Sequence, residues 1–179
     1  MITAARQNIP EGFMLGVIRD PDEGHLIRIA NQEFFDNYRN KTDPGKILAR
    51  GWIGSFKTPE NRYFNAHTEA EHGYGPVLYD AAIIMATKFG GGLVSSLCKS
   101  VLTEGPWETS DEAAGVYKFL YNSRPDVTKR SLTQNELVRI QKDFKSRADI
   151  MQEKPELFAV YVLNKRLSSL GPVWPGTKF

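Results

Sequence analysis

The amino-acid sequence predicts an α/β protein with a mixed sheet that is layered by helices. Strand-like segments come first, at residues 25–31, 51–56 and 63–70. Apolar helical patterns then alternate with further strand-like segments as far as residue 165. This succession is typical of a sheet covered by helices. The length of 179 residues and the hydrophobic content of 41% predict a single domain, residues 1–179, with a buried core.

Charge and cysteine content set limits on function. The net charge of +2 is too small to indicate nucleic-acid binding by itself. Cys98 is the only cysteine in the sequence, so no disulfide can form within the chain. That cysteine usage fits a reducing compartment.

The apolar runs are too short for a membrane-spanning helix. The longest strictly apolar runs are residues 81–86 and 157–163, whereas a span needs roughly 18 to 20 residues. The first residues, MITAARQNIPEGF, contain neither the apolar core nor the cleavage-site pattern of a signal peptide. We therefore expect a cytoplasmic protein with no membrane partner.

The first half of the chain predicts a strand followed by a hairpin. Residues 25–31 alternate apolar and polar side chains, which indicates a strand. Residues 34–40 form either a short helix or an aromatic-rich loop. Residues 51–56 and 63–70 are predicted strands, and we expect them to pair antiparallel because the connection between them is short.

A long apolar helix is predicted at residues 76–89. Pro76 suits its first turn, where the missing N–H is not needed. Apolar side chains cover much of the helix circumference, so we expect the helix to pack into the core. The three glycines at 90–92 can supply a left-handed C-cap.

Two further strands and two further helices are predicted in the second half. Residues 92–96 suggest a short buried strand, and residues 111–122 have helical spacing with Thr109 or Ser110 as the N-cap. A helix is predicted next, at 131–151, and it begins with a Thr133–Glu136 capping box. A strand at 156–165 and an irregular tail at 166–179 follow it. The helix at 131–151 is interpreted as a helical insertion.

A glycine turn joins the strand 63–70 to the apolar helix. The turn contains Gly73 and Gly75, and the first N–H groups of the helix have no partner within the helix. Glycines let an anion approach the backbone closely, so this turn can hold a phosphate or pyrophosphate. A simple tight turn remains the alternative. The segment is not a P-loop, and Leu78 stands where a dinucleotide-binding fingerprint needs its third glycine.

The order of these motifs resembles the GNAT superfamily of N-acyltransferases. A hairpin is followed by a turn of the form Q/R-x-x-G-x-G/A, here Ala70 to Gly75, then by a helix and a short strand. A second helix then carries Asn/Ser-x-x-Ala-x-x-x-Tyr, here Ser110, Ala113 and Tyr117. The segment GYGPVLYDAA further resembles the sequences of GNAT-like proteins carried by bacteriophages. The resemblance implies a GNAT-like, largely antiparallel mixed sheet flanked by helices.

The resemblance also implies a cofactor and an activity. Acetyl-CoA would be a co-substrate whose pyrophosphate lies on the backbone amides of the turn, and its acyl group would pass to an unknown amine. Tyr117 would protonate the departing thiolate. The candidate cofactor-binding residues are Gly73, Tyr74, Gly75, Val77 and Ser110. Tyr74 would pack beside the cofactor or would only cover the turn.

His67 is the candidate base that accepts a proton from the acceptor amine. It shares one face of the predicted strand 63–70 with Glu69, and neutral histidine is available near pH 7. A solvated strand histidine is the alternative interpretation. His67, Glu69 and His72 also invite a metal-site interpretation, but their spacing matches no closed zinc pattern, and no metal is predicted.

Departures from the family pattern support a second hypothesis. Ala70 stands where the family has Arg or Gln, Pro76 removes an amide beside the turn, and Val94-Ser95-Ser96 replaces the Pro-Asp-Arg-like stretch of the phage subgroup. The alternative is an inactive GNAT-like fold that serves as a virion structural or interaction protein, located in the host cytoplasm or the virion. Trp107 and Trp174 would suit a protein interface.

A basic helix offers nucleic acid as a weaker alternative partner. Residues 124–147 contain seven Lys or Arg against three Asp or Glu. Arg139, Lys142 and Lys145 fall on the helix face opposite the apolar side chains of segment 133–150. Such a face can contact phosphates or an acidic protein, and a solvated helix face is the alternative.

Overall fold

A computed structural model of the chain describes residues 9–20, 24–40, 49–58, 60–71, 73–95, 109–140 and 148–164. The strands are β1 (Phe13–Asp20), β2 (Gly24–Asn31), β3 (Ala49–Lys57), β4 (Phe64–Ala70), β5 (Leu93–Val94), β6 (Val127–Ser131) and β7 (Ala159–Leu163). The helices are α1 (Gln32–Asn40), α2 (Gly75–Phe89), α3 (Asp111–Ser123), α4 (Gln134–Ile140) and α5 (Ala148–Glu153), and a 3₁₀ helix covers Pro155–Phe158.

The strands in the described part of the chain form one mixed sheet of seven strands, in the order β1-β2-β3-β4-β5-β7-β6. Neighbouring strands are antiparallel except for β4 and β5, which are parallel. The α/β class predicted from the sequence is therefore confirmed, with a largely antiparallel sheet.

Helix α2 covers one face of this sheet and α1 covers part of the other. Ile27 and Ile53 are register partners on the first face, both fully buried, and α2 packs against β2, β3, β4 and β7. Gly16 and Arg28 are partners on the opposite face, where α1 packs against β1 and β2. A Cβ atom on Gly16 would lie 2.1 Å from the Phe35 ring, so glycine permits this close approach.

Several predicted elements are present at nearly their predicted bounds. The hairpin of β3 and β4 pairs antiparallel from Gly51 with Ala70 to Lys57 with Phe64. Helices α2 and α3 begin within one residue of their predicted starts. The segment 34–40, which allowed a helix or a loop, belongs to α1.

Other predictions were wrong in bounds or type. Strands β1 and β6 were not predicted, and β5 contains two residues rather than five. The segment 131–151 begins as the end of β6 and becomes helical only at Gln134; residues 141–147 lie outside the described residues. The strand predicted at 156–165 is the 3₁₀ helix followed by β7. The tail 166–179 also lies outside the described residues.

The predicted left-handed C-cap of α2 was also wrong. Gly90 is extended, with φ −154°, because the chain turns directly back toward the sheet. The Gly91 N–H donates to the Arg62 carbonyl at 2.7 Å, and the Gly92 carbonyl accepts from the Phe64 N–H at 3.0 Å. The glycines therefore bring the helix end against the start of β4.

A half-buried ion-pair network fixes α2 to α3. Arg124, directly after α3, donates to Asp80 of α2 at 2.5 Å and to both oxygens of Asp126 at 2.6 and 2.5 Å. The bond from Arg124 lowers the pKa of Asp126, whereas burial raises the pKa of Asp80. The arrangement sets the angle at which α3, and with it Tyr117, meets the sheet.

Glu136 fixes α4 to the edge of the sheet. Its carboxylate accepts from the Tyr63 hydroxyl at 2.6 Å, from Arg130 at 2.9 and 3.0 Å and from the Thr133 N–H at 2.8 Å. Thr133 in turn accepts from the Glu136 N–H, so the predicted capping box is confirmed. Burial and the bond to Glu136 raise the pKa of Tyr63 to about 12.

We expect the substitution Glu136→Gln to lower the free energy of unfolding by about 1–3 kcal/mol, because a half-buried acceptor of several hydrogen bonds loses its charge. The bonds from Arg130 first, and those from Tyr63 and Thr133, lower the pKa of Glu136. Its contribution is therefore complete above about pH 5 and declines as the pH falls below the ordinary value of about 4.3. Urea unfolding at pH 7 and pH 3 measures both effects.

The matched control is Glu153→Gln at the exposed end of α5. We expect it to change stability by less than about 0.5 kcal/mol at either pH. Equal losses for the two variants at pH 7 would contradict the role given to Glu136.

Candidate functional site

Strands β4 and β5 separate after a very short parallel contact. Pairing is limited to Phe64 with Leu93 and Asn65 with Val94, although β4 continues to Ala70. Within the described residues, the edge of β4 from residue 66 to residue 70 has no strand partner on that side. A gap at which parallel strands diverge exposes backbone N–H and C=O groups, and ligands bind preferentially at such points of α/β sheets.

Two hydrogen bonds hold the end of β5 away from β4. The Val94 carbonyl accepts from the Tyr117 hydroxyl at 3.0 Å. The neighbouring Ser95 hydroxyl donates to the Leu157 carbonyl at 2.7 Å, on the opposite side of β5 from β4. Because both groups are buried, these bonds hold Val94 and Ser95 against α3 and the 3₁₀ helix before β7.

The glycine turn lies at the far end of the open edge of β4. Gly73 has φ +90°, a left-handed conformation that glycine adopts without strain. Helix α2 begins at Gly75 with no side-chain cap and no acidic residue in its first turn. Space is open around the Cβ positions of both glycines. An anion can therefore approach the unpaired N–H groups of this helix end.

A cation that the sequence analysis did not identify lies beside this turn. Arg50 donates to the Glu71 carboxylate at 2.9 Å, and the Glu71 N–H donates to the Arg50 carbonyl at 3.1 Å. Both side chains are about half exposed, at 42% and 52%, so their attraction is weak and the pair can exchange partners. Arg50 thus offers a positive charge near the position where Ala70 lacks one.

Tyr117 lies at the point where β4 and β5 diverge. Its ring is 1% exposed and contacts the rings of Tyr79 and Tyr161 at centroid distances of 5.6 and 5.7 Å. Burial raises the pKa values of Tyr79 and Tyr161. The Tyr117 hydroxyl points at the Val94 carbonyl, which belongs to the last residue pair of β4 and β5. The residue is therefore placed at the gap but is engaged with the backbone.

A polar cluster occupies the face of the hairpin opposite α2. Arg28 of β2, Trp52 of β3 and Glu69 of β4 are successive register partners, so their side chains lie on one face in a row. The Trp52 indole N–H donates to Glu69 at 3.2 Å, and the His67 ring lies 5.3 Å from the Trp52 ring. We name Arg28, Trp52, His67 and Glu69 the hairpin cluster. His67 and Glu69 of this cluster lie on β4 itself, whereas Arg28 lies two strands away from its open edge.

The structure brings some of the predicted site residues together and separates others. Gly73 and Gly75 form the turn, whereas Val77 is fully buried, its backbone included. Tyr74 packs against the core rather than standing free beside the turn. Ser110 is the N-cap of α3, where its hydroxyl accepts from the Ala113 N–H at 3.3 Å. Ser110 is the cap rather than Thr109.

Some predicted residues lie outside the described residues: His72, Cys98, Trp107, Lys142, Lys145 and Trp174. Arg124 and Arg130 of the basic run 124–147 are engaged by carboxylates. The charge available there for a nucleic acid is correspondingly smaller than the sequence count suggests.

The sequence did not indicate three residues of the candidate site: Arg28, Trp52 and Arg50. The spacing of Arg28 among buried residues of β2 shows that it faces away from Ile27 and Ile29. Its placement beside Trp52 depends on the pairing register between strands, which the sequence of one strand does not contain.

Within the described ranges, no group of three or more His, Cys, Asp or Glu side chains is arranged to hold a metal ion. No described helix is long and apolar enough to cross a membrane. Comparisons of the chain with protein-family models, with curated proteins and with solved structures found no match.

We expect His67 to titrate below the ordinary value of about 6.5, because burial lowers its pKa and the Glu69 carboxylate offsets this only in part. The substitution Glu69→Gln removes the offset, so the midpoint should fall further. Imidazole NMR signals followed from pH 4 to pH 8 measure the midpoint.

The control is Glu71→Gln, which removes a carboxylate that Arg50 holds at the turn. We expect it to leave the His67 midpoint unchanged. A midpoint at or above 6.5 in the unmodified protein would contradict the buried environment of His67.

Proposed function

We propose that this protein is an acyl-CoA-dependent N-acyltransferase of the GNAT type, with acetyl-CoA or a similar thioester as donor and a primary amine as acceptor. The observation that carries the proposal is the open edge of β4, which runs from the diverging end of β5 to an uncapped helix that follows a glycine turn. The order of hairpin, glycine turn, helix, short strand and tyrosine-bearing helix supports the family resemblance.

In this proposal the cofactor lies along the open edge of β4. The pyrophosphate binds the N–H group of Gly75 at the start of the helix, where the helix dipole favours negative charge. From Asn65 to Ala70 the strand rises about 17 Å, a length that suits an extended pantetheine arm. Backbone N–H and C=O groups of residues 66–70 supply hydrogen bonds to the amides of that arm, as in strand addition to a sheet.

The two sides of the sheet then serve the two halves of the reaction. The amine nitrogen attacks the thioester carbonyl carbon, a C–N bond forms and the C–S bond breaks. A base on the hairpin cluster, His67 directly or through water, accepts the proton that the amine loses. His67 lies two residues beyond the last β4–β5 pair, about 7 Å along the strand. The leaving thiolate takes its proton from Tyr117, which approaches from the α2 side.

The bond between Tyr117 and the Val94 carbonyl constrains this role. To protonate a thiolate, the hydroxyl must turn from the carbonyl toward the gap, and the carbonyl must then find another donor. An amide N–H of the pantetheine arm can supply that donor, so cofactor binding would free the tyrosine proton. This exchange replaces one hydrogen bond by another and has a small net cost.

The bond between Tyr117 and Val94 also favours a second candidate function. This candidate is an inactive GNAT-like protein that serves as a virion or interaction component. Tyr117 is almost fully buried and its hydroxyl is engaged within the protein. A domain that retained its fold without its cofactor would keep such a bond permanently. The two candidates differ in one measurable property, which is affinity for CoA.

We expect isothermal titration calorimetry to detect micromolar binding of acetyl-CoA and of CoA. The substitution Gly75→Leu should weaken both by at least about tenfold, because its side chain occupies the open space from which a phosphate reaches the helix amides. Gly75 has no positive φ, so the variant should still fold.

Gly115→Leu is the matched control. Gly115 lies within α3, is exposed and also has open space at its Cβ position. That variant should gain up to about 1 kcal/mol of stability from helix propensity and bind CoA normally. Unchanged CoA affinity in a folded Gly75→Leu variant would refute the pyrophosphate site. The absence of CoA binding by the unmodified protein at millimolar ligand would favour the virion or interaction role.

A further inference from the structure

Arg28 is a partly buried cation that lacks an anionic partner within the described residues. Its guanidinium lies over the Phe34 ring, 5.2 Å from the ring centre, and its Nε atom is buried without a hydrogen-bond partner. Burial lowers the pKa of Arg28, and Glu69 opposes that change from two strands away. Taking a guanidinium out of water without pairing it is unfavourable, so such a group is suited to receive an anion from outside.

The row that Arg28 begins has opposite charges at its two ends. Trp52 separates Arg28 from Glu69, and because neighbouring strands are about 4.8 Å apart, the backbones at the two ends are about 10 Å apart. Trp52 donates to Glu69, which holds the carboxylate beside the indole and at the end of the row away from Arg28. The row therefore presents a cation, an aromatic surface and an anion in sequence.

This row lies on a face that α1 covers only at one end. Helix α1 packs against β1 and β2, and its Tyr38 remains 48% exposed beside the Arg28 end of the row. Trp52 and His67 are half-buried and Glu69 is exposed. Among the described elements, α1 is the one that contacts this face at Arg28, and exposure increases along the row toward Glu69.

We propose that the hairpin cluster binds an amino carboxylate, an amino acid or short peptide, with its carboxylate on Arg28 and its amino group beside Glu69 and His67. The planar guanidinium matches a carboxylate in a bidentate geometry, and Trp52 contacts the carbon skeleton between the two ends. If the bound amino carboxylate is the acceptor of the acyl group, the assignment rests on the proposed acyl transfer. The binding site itself requires only the row.

The direction of charge along the row determines which end of the bound amino carboxylate lies next to the thioester. The open edge of β4 adjoins Glu69 and His67, whereas Arg28 lies two strands farther away. An amino carboxylate held in this direction places its amino group next to the thioester and its carboxylate away from it. An amine without a carboxylate leaves Arg28 unpaired, so the site discriminates against it.

The test compares amines with and without a carboxylate. The pairs are 6-aminohexanoate with hexylamine, phenylalanine with phenethylamine, and alanyl-alanine with alanine ethylamide. NMR titration follows the Trp52 indole N–H signal, assigned with a Trp52→Phe variant, in the absence of CoA. We expect at least one acid to bind about 10- to 100-fold more tightly than its partner, because the charge-assisted bonds to Arg28 are lost without the carboxylate.

Arg28→Met should abolish this preference while the protein remains folded, because it replaces a desolvated charge by an apolar chain of similar length. Arg28→Lys should retain part of it, since the charge remains but the bidentate geometry is lost. The matched control is Arg19→Met, which removes a guanidinium that lies 5.2 Å over the Phe89 ring on the other face of the sheet. That variant should keep the preference.

The outcomes separate this inference from the proposed function. If no acid binds more tightly than its partner, or if folded Arg28→Met keeps the preference, the assignment of Arg28 is refuted even when CoA binds at the glycine turn. If the acids bind through Arg28 and CoA does not bind, the amino-carboxylate site stands and acyl transfer fails. When both bind, CoA release from acetyl-CoA should depend on the carboxylate of the added amine.

Discussion

The carbonyl of Val94 is the atom on which the architecture of the candidate site depends. Its bond from Tyr117, together with the bond between Ser95 and Leu157, ends the pairing of β5 with β4 after two residues. The gap along β4 thus begins where contacts with α3 and with the 3₁₀ helix before β7 hold the end of β5.

The rest of the molecule holds that arrangement in place. The ion pairs of Arg124 set the position of α3, and the hydrogen bonds of Gly91 and Gly92 return the chain to the start of β4. The network around Glu136 secures α4 at the far edge. These contacts are polar and specific, whereas the apolar core alone would permit several packings of the same helices.

The sheet also separates two kinds of chemistry. Its α2 face contributes Tyr117 and the buried core, and its other face contributes the hairpin cluster with Arg28 at one end. Because successive side chains of a strand point to opposite faces, β4 can present His67 and Glu69 to a ligand while Ala66 packs in the core. In the proposed acyl transfer, the entering amine and the leaving thiolate would therefore meet different faces of the sheet.

The sequence by itself determined the features that arise from local patterns. These are the α/β class, the β3–β4 hairpin, the apolar helix after the glycine turn and the capping box of α4. It failed for β6, because an edge strand with four exposed residues out of five has no apolar alternation.

Tertiary structure alone decided the length of β5, the engagement of Tyr117 and the row that joins Arg28, Trp52 and Glu69. Each of these depends on the register between segments distant in sequence. A strand's own residues specify its two faces but not its neighbours, so the site could not be read from any single segment.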